Sequence, residues 1–87
     1  MLQSKFKNVK SSNLKSIAYQ ANIQELKVVF INAPNWIYVY SLVPLAIYTK
    51  LKNSPSKGMY FNEHIKNEYQ FRKIVNSAKW IERIFYT

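Results

Sequence analysis

Eighty-seven residues suffice for one domain, and 48% apolar and 16% aromatic residues with one glycine and three prolines describe a folding chain and argue against disorder. Thirteen Lys and Arg stand against four Glu and no Asp, a net charge of +9, which points to a polyanionic partner or, more plainly, to a surface kept soluble by lysine. With no cysteine, disulfides and thiolate metal sites are excluded, and an intracellular, cytoplasmic setting is expected.

In chain order, residues 1–10 read as a basic arm carrying Lys5, Lys7 and Lys10, partly ordered by Phe6 and Val9. It lacks the apolar core of a signal peptide. Residues 14–20 read as a strand with Ile17 and Tyr19 on one face, and residues 21–24 as a turn. In residues 25–31, Leu26, Val28 and Phe30 alternate with Lys27, Val29 and Ile31, the period of two of a second strand. Asn32-Ala33-Pro34-Asn35 is a turn signal, and a third strand is expected over residues 36–41, with Trp36, Tyr38 and Tyr40 sharing a face.

The period then becomes helical. Pro44 suits a first helical position, and Ile47, Tyr48 and Leu51 fall on one face. A second helix is expected over residues 56–67, with Ser56 as N-cap and Phe61 and Ile65 inward. In residues 71–86, Phe71, Ile74, Val75, Ala78, Ile81 and Phe85 follow three- and four-residue spacing, which predicts an amphipathic helix. The longest apolar stretch, residues 36–48, contains Pro44 and is far short of the roughly 20 residues that cross a bilayer, so no membrane partner is expected.

These elements predict an α+β fold: a three-stranded antiparallel meander followed by two to three helices packed on one face. Residues 1–10 form the arm, 11–71 the α+β domain, and 72–87 a terminal helix packed on that domain.

The order of several motifs resembles the KTSC domain family, a module named for its occurrence at the C-terminus of some lysyl-tRNA synthetases. VKSSNLKSIAY, Leu26 to Phe30, and Tyr38-Val39-Tyr40 followed by Val43-Pro44 are similar to its opening, its second strand and its third strand with the helix entry. SKGMYFNEHIKNEY looks like its Ser-x-Gly-x-Tyr-Phe-Asn segment followed by Ile and Tyr. Ala18 replaces the family's usual Gly before the first strand Tyr, and the hairpin turn also lacks its usual Gly. The resemblance implies RNA contact through domain company; free-standing copies in bacterial and phage genomes imply a role in the bacterial cytoplasm.

The residues offer catalysis little. His64 is the only histidine and the chain has neither Asp nor Cys, so Ser-His-Asp and Cys-His arrangements are impossible. Glu63 and Glu68 diverge by about 140° on a helix, which does not make a carboxylate pair. No enzyme, cofactor or metal is expected.

An anion site is expected at the helix start, where N–H groups are unpaired. Ser56 offers a hydroxyl, Lys57 a charge, and Gly58 a close approach, with Tyr60 and Asn62 following. The alternative is that Gly58 merely packs on a neighbour and Ser56 merely caps. Lys15, Lys50 and Lys52 would add phosphate contacts, and Asn13 a polar one, although Asn13 and Asn62 equally suit turn and cap bonding. Trp36, Tyr38 and Tyr40 would stack bases, unless they simply fill the core.

The function expected first is therefore a non-enzymatic binder of phosphate-bearing ligands, RNA or other nucleic acid in front. The alternatives are a phage-type protein that sequesters a small, cyclic nucleotide signal or blocks a host defence factor, and a protein-partner or homodimer module. The last would use the helix expected over residues 71–86, where Trp80, Ile84 and Tyr86 extend the apolar stripe.

Overall fold

The structure is a computed structural model that describes residues 6–9, 11 and 13–76. Five antiparallel strands run in chain order across one sheet: β1 (Lys7–Asn8), β2 (Leu14–Gln20), β3 (Glu25–Phe30), β4 (Ala33–Tyr40) and β5 (Phe71–Val75). Helices α1 (Leu45–Asn53) and α2 (Lys57–His64) lie between β4 and β5 in the chain.

The expected meander is present as β2, β3 and β4, and the α+β class holds, but the sheet has five strands where three were expected. β1 escapes the sequence pattern because it is two exposed polar residues, Lys7 opposite Ile17 and Asn8 opposite Ser16. The larger correction concerns Phe71 to Val75, expected to open a helix. They pair with β4 instead, Phe71 opposite Tyr40, Lys73 opposite Tyr38 and Val75 opposite Trp36. Phe71, Ile74 and Val75 carry helical spacing, and the backbone groups of β4 override it by supplying a hydrogen-bonding edge. The rest of that expected helix, including Trp80, Ile84 and Tyr86, lies outside the described residues, as do Lys5 and Lys10.

Smaller differences have local causes. The β3–β4 hairpin turns at Ile31-Asn32, and Phe30 pairs with Ala33, so β4 takes in Pro34 and Asn35. Pro44 is the N-cap of α1, one position before the first helical residue; its carbonyl accepts the N–H groups of Ile47 and Tyr48 at 3.0 and 3.2 Å. α2 stops at His64, where the Ile65 and Lys66 N–H groups both donate to Phe61 O and close a turn.

The core lies between the helices and one face of the sheet. Leu14, Ile17, Leu26, Val28 and Tyr40 from the strands meet Val43, Tyr48, Leu51, Phe61 and Ile65, all buried. Tyr19 and Tyr48 stack at 4.6 Å between centroids, and Tyr40 meets Phe61 edge-on at 5.3 Å, tying β2 to α1 and β4 to α2. On the opposite face Val29, Ile37 and Val39 form a smaller buried cluster. No helix among the described residues is long and apolar enough to cross a membrane.

Candidate functional site

Two segments far apart in the chain meet beside the start of α2. The first is the loop before β2. Ser11 Oγ accepts the N–H groups of Asn13 and Leu14, both at 3.1 Å, and Leu14 is buried in the core, so the loop is fixed at its inner end. The second is the bend into α2. Ser54 Oγ accepts the Ser56 N–H at 3.1 Å, and Lys57 Nζ donates to Ser54 O at 3.0 Å. The Ser56 side chain makes no capping bond, so its hydroxyl is not spent on the helix end.

Gly58 is the point of contact. A Cβ there would stand 3.2 Å from Ser11 Oγ and 3.3 Å from Asn13 Cβ, tighter than ordinary side-chain contact. The only glycine thus lets the helix and the loop approach. Together they enclose an open cleft of about 570 Å³ walled by Ser11, Asn13, Ser56, Lys57, Gly58 and Asn62. Gly58 and Asn62 share a face because residues four apart lie one above the other. Glu63 is the acidic member of the wall.

Five of the nine residues expected at the anion site therefore line the cleft: Asn13, Ser56, Lys57, Gly58 and Asn62. The other four do not. Tyr60, two residues from Gly58, is carried to another side of α2, where its ring lies 4.5 Å from that of His64. Lys15 is the exposed bulge residue of β2, between Leu14 and Ser16. Lys50 and Lys52 occupy the last turn of α1, with Lys52 Nζ 5.7 Å from the Tyr48 ring. Ser11 was missed as a contact, although the Ser-Ser pair was the signal that could have found it.

The expected stacking residues separate. Trp36 is 38% exposed with Lys73 Nζ 4.8 Å from its ring, and Tyr38 is half-buried, edge-on to Phe30 at 5.0 Å. Tyr40 is 2% exposed, its ring held between Phe61 and Phe71. Burial, with Tyr38 alongside, pushes the Tyr40 hydroxyl up to about 12.

A second cavity, about 360 Å³, adjoins the first. Asn13 and Asn62 belong to both walls; beyond them the second is lined by Phe30, Tyr38, Tyr40 and Phe71.

The chain is similar to known proteins. The KTSC domain family matches residues 10–69. Lysine–tRNA ligases of Nostoc sp. and Trichormus variabilis are 35% and 33% identical to this chain over 63 residues, 72% of its length. The chain spans only 11% of the length of each ligase. The crystal structure of a KTSC domain protein from Yersinia pestis superposes with a TM-score of 0.76 at 29% identity, covering 83% of this chain and 99% of that one.

Proposed function

The chain belongs to the KTSC domain family, and from that premise we propose that it is a non-enzymatic binding module for a phosphate-bearing ligand, with RNA or another nucleic acid first in line. The observation that carries this reading is the convergence of the Ser11–Asn13 loop with Ser56, Lys57 and Gly58 on one polar cleft. A helix start presents unpaired N–H groups and the positive end of its dipole, and here a hydroxyl and an ammonium stand beside them. Two stretches that resemble the family, VKSSN and SKGMYFN, supply most of this wall.

Charge supports the same reading at longer range. A net charge of +9 attracts a polyanion before contact, and the exposed Lys15, Lys50 and Lys52 suit backbone phosphates outside the cleft. The similarity to ligases named for tRNA adds a partner class of the right chemistry.

The test is a fluorescence-anisotropy titration of labelled single-stranded RNA and DNA at two salt concentrations. Affinity falls steeply between about 50 and 200 mM salt if several phosphates are neutralised. Binding that is absent, or that ignores salt, overturns the proposal.

A further inference from the structure

The second cavity has a composition the phosphate cleft lacks. Phe30, Tyr38 and Phe71 give it an aromatic wall, and Phe71 is half exposed at 50% although its ring packs on Tyr38 and Tyr40 at 5.5 and 5.3 Å. Asn32 and Asn67 bring two amides to the same wall. Each amide carries donors and an acceptor, and no hydrogen bond within the chain engages either side chain among the described residues.

Tyr40 adds an independent observation. Its side chain is buried, it contributes to this wall, and its hydroxyl has no hydrogen-bond partner among the described residues. Buried polar groups are paired in the large majority of cases, and an exception calls for a reason. A ligand edge that pairs with the phenol supplies one.

The two cavities are joined through Asn13 and Asn62, which stand in both walls. We infer that the aromatic cavity takes the planar base of a nucleotide unit whose phosphate lies in the Ser56–Gly58 cleft, with Asn13 and Asn62 between them. The base lies against the rings, and its polar edge meets the amides and the Tyr40 hydroxyl, as unstacked bases are read elsewhere. This inference rests on the reading that the first cleft holds phosphate.

The experiment is isothermal titration of the full chain with the four nucleoside 5′-monophosphates, the matching nucleosides and inorganic phosphate. Wild type is compared with Tyr40→Phe, which keeps the ring in the core, and with Asn67→Ala at an exposed position. At least one monophosphate should bind about tenfold or more tighter than its nucleoside and than phosphate. Tyr40→Phe and Asn67→Ala should each weaken that monophosphate by about three- to tenfold and leave phosphate binding unchanged.

Monophosphates that bind no tighter than phosphate, with both variants silent, overturn the base cavity and leave the phosphate reading standing. Nucleosides that bind as well as their monophosphates, with no response to phosphate, overturn the phosphate reading and with it the nucleotide unit that spans both cavities. A four-nucleotide RNA identifies the source of the unit: tighter binding than any monophosphate marks a strand segment, and equal binding marks a free nucleotide.

Discussion

Gly58 and Ser11 stand so close that a methyl group on Gly58 would come within 3.2 Å of the Ser11 hydroxyl oxygen. The contact brings the start of α2 against the loop that leads into β2, 47 residues earlier in the chain, and the polar cleft exists because of it.

Gly58→Ala sets two effects against each other. Alanine gains up to about 1 kcal/mol of helix propensity, less in a first turn, and the crowded loop gives some of it back. Folding stability should change by less than about 1 kcal/mol, while ligand binding at the cleft weakens as Ser11 and Asn13 move. Gly58→Val adds a β-branched side chain to the same gap and should lower stability by about 1–3 kcal/mol. Urea unfolding of both variants beside the wild type measures this.

Tyr40 gives the fold a weak point at high pH. Its hydroxyl is held near 12 against an ordinary 10.0, first by burial and then by Tyr38. The unfolded chain therefore loses this proton before the folded one. The contribution to stability is whole below about pH 10 and is lost as the pH rises toward 12. Absorbance titration should show a tyrosine that ionises near pH 12, and Tyr40→Phe should remove that step and flatten the fall in stability.

The assignment of Phe71–Val75 to a strand has a direct spectroscopic consequence. Backbone NOEs should connect Phe71 with Tyr40, Lys73 with Tyr38 and Val75 with Trp36. Sequential amide contacts typical of a helix through these residues would return the segment to the sequence-based expectation.

Leu42 sits in the left-handed region at φ 58° and is 72% exposed, so it loses little burial when replaced. Its conformation makes the corner between β4 and α1, where the Val43 N–H donates to the carbonyl of Gln24, itself at φ 54°. Leu42→Asn should raise stability by about 0.5–1 kcal/mol, since Asn tolerates this region far better than a bulky apolar residue. Thermal unfolding checks it.

The sequence carried the central meander well because Leu26, Val28 and Phe30 repeat at a period that only a strand satisfies over such a length. It carried both helices through the inward residues Tyr48, Leu51 and Phe61. It misread Phe71 to Val75 because Phe71, Ile74 and Val75 fit a helix face, and the partner that makes them a strand, Tyr40, lies 31 residues earlier. Pairing at that distance leaves no local periodicity. The site was legible in part for a similar reason: Ser56, Lys57 and Gly58 are neighbours in the chain, whereas Ser11 joins them only after folding. The composition could not say that Lys50 and Lys52 fall outside the cleft, because the chain turns at Ser54 and Pro55 before α2 begins.

Chemical-shift mapping locates the bound ligand on the protein surface. Uniformly ¹⁵N-labelled protein is titrated with short single-stranded RNA at low salt, and the amide shifts are followed residue by residue. The largest changes should cluster at Ser11, Asn13, Ser56, Lys57, Gly58 and Asn62. Saturable changes confined to another surface, such as the exposed strand β5, or an unchanged spectrum would contradict the cleft as the site where this protein binds its ligand.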